Sequence, residues 1–285
     1  TVQPSSFSSF KEIDPSEWKS SIEDVKERIK SGKVDKVVLA RELRAKFEKT
    51  IQIEAVLEVL LEEQPACFVF AYERGEDCFV GASPEQLVRK DDVNIHSMCL
   101  AGSIARGKTV SEDEKLGELL LSDDKNLKEH DFVVQMIRSS LSQLCSEVTT
   151  GNTPELYKLK HIQHLYTPVQ AKSNEDISIF QLVEKLHPTP ALGGHPKDIS
   201  LETIREVESL DRGWYAGPIG WVNWKGDGEF AVAIRSALLQ GKEASLFAGC
   251  GIVEHSDPES EYEETRIKFK PKLSSLGVIR QDDNK

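Results

Sequence analysis

Three strand-like runs late in the chain, Ile219 to Trp224, Phe230 to Leu239 and Glu243 to Ala248, are joined by turns of a few residues, Gly226-Asp227-Gly228 and Gln240-Gly241. Connections this short join antiparallel neighbours, because a parallel pair needs a crossover of about a dozen residues or more. The same arrangement is expected where Glu73-Arg74-Gly75-Glu76 separates Ala66 to Tyr72 from Asp77 to Gly81. Further strands are predicted over 36–41, over 86–104 with a break at Lys90-Asp91-Asp92, and over 156–171. Helical patterns lie between the hairpins. One runs from the cap Asp14 and Pro15 through Trp18, Ile22, Val25 and Ile29 to Gly32, and another over 51–64 closes at Pro65. A capping box at Ser111-Glu112-Asp113-Glu114 is expected to open two helical pieces over 111–148. Shorter helices are expected at Ile179 to Leu186, over 200–210 and from Pro258. The pattern predicts an α+β fold of layered antiparallel β-sheets with flanking helices, in a single domain over 1–285 with a weakly structured tail at 277–285.

The 36 Lys and Arg residues against 48 Asp and Glu leave a formal net charge of -12, which repels phosphate backbones and argues against a nucleic-acid partner. An anionic small molecule would need its own cluster of basic side chains or a metal ion. Five widely spaced cysteines, Cys67, Cys78, Cys99, Cys145 and Cys250, form no CxxC pair and point to a reducing, cytoplasmic setting. No apolar run is long enough to span a bilayer, so no membrane partner is expected. A monomer is the expected state. The start at Thr1 reads as a processed product or one piece of a longer polypeptide.

Several residues could carry chemistry. Asp257-Pro258 is a helix start, which puts Glu261, Glu264 and Lys268 on one face. That face is either a solvated acidic surface or a pair of hard oxygen donors suited to Mg²⁺, with Glu129 as a third carboxylate. Gly249 and Gly251 flank Cys250, where backbone can closely approach an anionic ligand. Lys36 opens an apolar strand and is either an edge lysine with its amine in water or a neutral amine acting as a base. Glu85 follows a strand and a turn, where a side chain can be aimed into a cleft. Arg235 extends an apolar strand and either pairs with a core carboxylate or grips a substrate carboxylate, with Tyr215 as its neighbour.

The stretches KVVLARE at 36–42, GASPEQL at 81–87, LAGSIARG at 100–107, KEH at 128–130, LHPTPALGG at 186–194, GWYAGPIGW at 213–221 and GCGIVEHSDPESEYEET at 249–265 occur in one order along the chain. Together they resemble the chorismate-utilising enzymes, and isochorismate synthase most. The resemblance covers about residues 14 to 276. It implies the fold of that family and Mg²⁺-dependent isomerisation of chorismate to isochorismate, a hydroxymutase reaction feeding menaquinone or siderophore synthesis. By that resemblance Lys36 is the general base that activates water for attack at C2, and Glu85 is the acid that protonates the departing C4 hydroxyl. Glu129 and Glu264 match direct magnesium ligands, and Glu261 holds the metal through water. Tyr215, Arg235, the Gly249 backbone and Lys268 match contacts to substrate carboxylates, and His164 matches a histidine near the substrate.

The resemblance also separates related reactions. Ala101 stands where aminodeoxychorismate synthases carry a nucleophilic lysine, so that covalent route is unavailable. Lys36 stands where anthranilate synthases usually have glutamine, which favours water over ammonia. Three alternatives stay open: a salicylate synthase that goes on to eliminate pyruvate, an anthranilate synthase-like component, and a catalytically silent member with a structural or regulatory role. Family members usually carry an N-terminal part that completes the fold, and this chain is expected to lack it.

Overall fold

The computed structural model describes residues 7–12, 14–173 and 177–277. In chain order the first elements are β1 (Phe7–Glu12), α1 (Pro15–Lys30), β2 (Lys36–Phe47), α2 (Ile53–Glu63), β3 (Phe68–Arg74) and β4 (Asp77–Ser83). Next come β5 (Gln86–Asp91), β6 (Asn94–Ala105), α3 (Val110–Ser122), α4 (Asp124–Leu141), β7 (Cys145–Thr150), β8 (Glu155–Lys158), β9 (Ile162–Ser173) and α5 (Ile179–Leu186). The chain continues through β10 (Gly194–His195), α6 (Lys197–Val207), β11 (Pro218–Val222) and β12 (Gly228–Val232), then β13 (Ser236–Gln240), β14 (Glu243–Ile252) and α7 (Pro258–Ser275). These elements form two antiparallel sheets with flanking helices, as the hairpin spacing predicts.

Two compact units divide the chain, and each holds one sheet. The first unit, residues 1–83, 192–216 and 233–285, carries strands in the order β1-β2-β14-β13-β4-β3, with β10 alongside β2. Its core follows from strand alternation. Val37 and Leu39 of β2 and their partners Ile252 and Cys250 of β14 point to one face, where they pack with Trp18, Ile22 and Val25 of α1 and Ile204 of α6. Ile22 and Val25 are fully buried, each contributing roughly 1.5–3 kcal/mol by removal from water. Further along the same face of β2, Leu43, Ala45 and Phe47 pack with Val56 and Leu60 of α2 and with Phe269 of α7. The opposite face of β2 and β14 is left to Lys36, Val38, Ala40, Gly249 and Gly251.

The second unit, residues 84–191 and 217–232, has the order β11-β12-β5-β6-β9-β7, with β8 on β9. Helix α4 covers β6 and β9 through Val133, Val134, Ile137 and Leu141, all buried. Where β6 passes Leu100 the register with β9 shifts, and Gly102 takes φ +80°, a conformation that Gly adopts without a Cβ clash.

Several local expectations are corrected. Asp14 precedes α1 but lies at φ 38° and makes no side-chain cap. The cap of α3 is Thr109, whose Oγ1 accepts from the Glu112 N–H at 3.2 Å, while Glu112 accepts from the Lys108 N–H at 2.8 Å. The cap therefore lies two residues before Ser111, and with Glu112 turned to Lys108 rather than to Thr109 no capping box closes. The helical reading to 148 overran, because α4 ends at Leu141 and Cys145–Thr150 pairs with β9. The helix expected over 200–210 lies at Lys197–Val207. The strand expected over Phe230 to Leu239 is broken: Arg235, at φ 50°, separates β12 of the second sheet from β13 of the first. Residues 278–285 of the expected tail lie outside the described residues. Among the described residues no helix is long and apolar enough to cross a membrane, and all five cysteines are free thiols.

Candidate active site

The first unit gathers most of the residues singled out from the sequence. Gly249 and Gly251 occupy alternate positions of β14 on the face away from the helices, so this stretch of the sheet has a floor without side chains. Lys36 lies across it. A Cβ on Gly251 would collide with Lys36 Cε and stand 3.1 Å from its Nζ. The hydroxyl of Tyr215 lies over the next bare position, 3.0 Å from where a Gly249 Cβ would be. Tyr215 stacks on Phe247 with ring centroids 5.4 Å apart, and burial pushes its phenol up to about 12, so at neutral pH it is a hydrogen-bond donor.

Past Leu246, β14 has no β13 partner, and the carbonyl of Gly249 accepts from Lys268 Nζ at 2.8 Å. Lys268 also pairs with Glu264, one turn back on α7, at 2.7 Å. Burial pulls the Lys268 amine down, but the charge and hydrogen bond of Glu264, with smaller help from Cys250 and Tyr215, together hold it above its ordinary value. Helix α7 starts as the sequence predicts: Asp257 Oδ1 accepts from the Ser260 N–H at 2.9 Å, and Pro258 is the first helical residue. Glu261, buried, and Glu264, half-buried, come one turn apart. Their hard carboxylate oxygens fit Mg²⁺ in donor type, and Lys268 already places a cation against one of them. Among the described residues no three His, Cys, Asp or Glu side chains gather into a metal centre.

Arg235 is nearly buried, in the connection between β12 and β13 rather than within a strand, and its carbonyl accepts from the Ala82 N–H at 3.3 Å. A positive φ at arginine is strained, and such backbone is found where a side chain must be aimed against local preference.

The second unit holds Glu85, Glu129 and His164. Glu85 is buried between Pro84 and β5, and its carbonyl accepts from the Val232 N–H at 3.1 Å. His164, also buried, sits on β9 opposite Ser103 of β6 and Tyr157 of β8. Glu129 is half-buried on α4 beside His130, which the sequence did not mark as important. His130 Nδ1 lies 2.9 Å from the Ala101 carbonyl and Nε2 lies 2.7 Å from Thr167 Oγ1. The Ala101 bond makes Nδ1 the protonated nitrogen, and burial lowers the ring's basicity, so it is a neutral pin between α4, β6 and β9. Ala101 is part of the β6 irregularity, which offers a carbonyl to His130 and no nucleophile.

Residues 1–277 match the family described as chorismate binding enzyme. The chain belongs to that family. The isochorismate synthase MenF of Bacillus subtilis is 54% identical over 270 residues, which are 95% of this chain and 57% of that protein. The salicylate biosynthesis isochorismate synthase of Pseudomonas aeruginosa is 41% identical over 92% of this chain and 55% of its own length. The chain thus spans a little over half the length of these curated relatives. Among solved structures, the menaquinone-specific isochorismate synthase MenF of Escherichia coli superimposes with a TM-score of 0.90 at 31% identity, covering 97% of this chain and 65% of that one. Anthranilate synthase component I of Streptococcus pneumoniae superimposes with a TM-score of 0.85 at 28% identity, covering 97% of this chain and 61% of that one.

Proposed function

We propose that this chain carries the catalytic residues of a Mg²⁺-dependent isochorismate synthase, converting chorismate to isochorismate by addition of water at C2 and loss of the C4 hydroxyl. The observation that carries the reading is the Lys36 amine laid across Gly251, beside the Tyr215 hydroxyl over Gly249. It puts a base next to a donor that can orient a carboxylate. Lys36 takes a proton from the attacking water as the C2–O bond forms. The ring double bonds shift, and Glu85 delivers a proton to the C4 oxygen, which leaves as water. A hydroxyl is a poor leaving group unless protonated, so acid and base are both needed. Tyr215, Arg235 and Lys268 supply donors and positive charge to a dianionic substrate, and His164 lines the same substrate. Glu264 and Glu129 would hold Mg²⁺ directly and Glu261 through water, and the ion would supply charge to the ring carboxylate. The lysine favours water over ammonia, and Ala101 offers no covalent route.

The test is product analysis with chorismate and Mg²⁺ in ¹⁸O-enriched water, with and without ammonium. Isochorismate labelled at C2 is expected in both. Anthranilate with ammonium, or unlabelled isochorismate, would overturn the water-addition reading, while salicylate with pyruvate would extend it by an elimination step.

A further inference from the structure

One edge of β2 is bare in the middle. Its other edge pairs with β14 from Val37 to Lys46, but on this side β10 pairs with Lys36 and Val37 alone, and β1, running antiparallel, ends opposite Leu43. Between them, the backbone of Val38 and Ala40 would be left without a strand partner, which a buried backbone does not tolerate. The gap is filled by pieces of other elements. The Val38 N–H donates to the Gly193 carbonyl at 3.0 Å. The Val38 carbonyl accepts from Arg212 Nη2 at 2.7 Å, and the Ala40 N–H donates to Glu208 Oε1 at 2.6 Å.

Glu208 and Arg212 are themselves joined. Arg212 Nε donates to Glu208 Oε2 at 2.7 Å, and Nη2 reaches Oε1. Glu208 is 4% exposed in its side chain. Two residues of opposite charge thus present one acceptor and one donor at the spacing of a strand edge. The pair also holds the next segment, because the Tyr215 N–H donates to the Arg212 carbonyl at 2.9 Å. Ala40 lies opposite Gly249 and Val38 opposite Gly251, the two bare positions over which Tyr215 and Lys36 lie.

We propose that Glu208 and Arg212 are positioning residues of the candidate site, a side-chain stand-in for a strand that fixes the Lys36 strand and the Tyr215 segment at one spacing over Gly249 and Gly251. The inference rests on the proposed role of Lys36 and Tyr215. Neither Glu208 nor Arg212 touches the reacting atoms, so their loss is felt as misplacement, to which catalysis is steeply sensitive. A structural ion pair of this kind is often replaceable as a pair by apolar residues with little loss of stability, whereas the buried backbone groups it bonds are costly to leave unsatisfied.

Three variants separate the roles. Glu208→Gln keeps an oxygen for the Ala40 N–H and should stay within about threefold of the parent in kcat. Arg212→Lys keeps the charge but is one bond shorter and loses the Nε bond to Glu208 Oε2, and should lower kcat about tenfold with a near-parental melting temperature. The double change Glu208→Leu with Arg212→Met should lower kcat further and speed amide hydrogen exchange at Ala40 and Tyr215. Amide exchange is read without substrate, so a parent protein inactive on chorismate would overturn the functional reading and leave the clamp to be judged by exchange. A folded Arg212→Lys protein with parental kcat, KM and exchange at Tyr215 would overturn the positioning role. If the double variant fails to fold, the Arg212→Lys result decides.

Discussion

Gly251 shows how much can rest on a missing side chain. Its backbone is ordinary strand, so alanine there costs nothing in conformation, but the new methyl would take the place of the Lys36 side chain. Gly251→Ala should lower kcat by roughly two to four powers of ten, the usual worth of a general base, with a melting temperature close to the parent's. Steady-state kinetics beside thermal unfolding checks this, and full activity would remove Lys36 from its assigned place. Lys272 is the opposite case, a full-length cation in the core. It is 1% exposed, its Nζ makes no hydrogen bond, and burial, aided by the charge of Arg235 and opposed by Cys67, lowers it to about 7. An unfolded lysine keeps its proton to about 10.5. Between these values the unfolded state binds more protons, so stability should rise with pH over that window, by at most about 1.4 kcal/mol per unit, and the slope should flatten below pH 7. Lys272→Met should abolish the slope and add on the order of a few kcal/mol at pH 7, measured by denaturant unfolding at several pH values. Helical spacing puts Lys272 on the face of Phe269 and Leu276, but a lysine two positions after Lys270 in the basic half of the helix reads as another solvated cation.

Helix α7 carries the next prediction. If Glu264 is a direct ligand and Glu261 acts through water, Mg²⁺ and chorismate should tighten each other by one common factor, because linkage is reciprocal, and Glu264→Gln should weaken the binding of both. Glu261→Gln should be milder, and Glu259→Gln, which loses a surface pair with Lys19, should change neither. Mg²⁺ titrations at several chorismate concentrations decide; unchanged metal dependence in Glu264→Gln would return this face to a solvated acidic surface. What the sequence made legible at this scale was local. Helix α5 was read residue for residue, since Ser178 and Gln181 form a full capping box ahead of a strongly one-sided apolar run. The hairpin at 73–76 was also plain, with Gly75 at φ 66°, although Glu73 and Arg74 belong to β3 and the turn is Gly75-Glu76 alone. The broken strand has a long-range cause. The run Phe230 to Leu239 reads as one apolar strand interrupted by Arg235, but Ala231 is claimed by Gln86 and Ser236 by Gly81, partners about 150 residues away that no local pattern names. Of the site, Lys36, Gly249 and the α7 carboxylates were visible through local context and family resemblance. Glu208 and Arg212 were not, because an i, i+4 acid and base pair reads as surface decoration until the bare edge of β2 is known.

For the whole molecule the governing fact is that the chain changes unit four times, after Ser83, Ala191, Ala216 and Val232. The stretch 84–191 is nearly all of the second unit, yet it lacks β11 and β12, and β5 would lose its neighbour along Gln86 to Lys90. Expressed alone, residues 84–191 should show neither dispersed amide resonances nor a cooperative unfolding transition, whereas a version with residues 217–232 joined by a short linker should show both. An independently folded 84–191 fragment would show that the hairpin is dispensable. The same interleaving sets a timetable for the ribosome. Strand β2 emerges well before β14, its partner from Lys46 to Val37, which follows about 200 residues later. At common rates of synthesis that is roughly 10–40 s in which a twelve-residue, largely apolar strand waits without its mate. During that interval the nascent chain is a natural client for chaperones, and the candidate site cannot exist until α7 has left the exit tunnel.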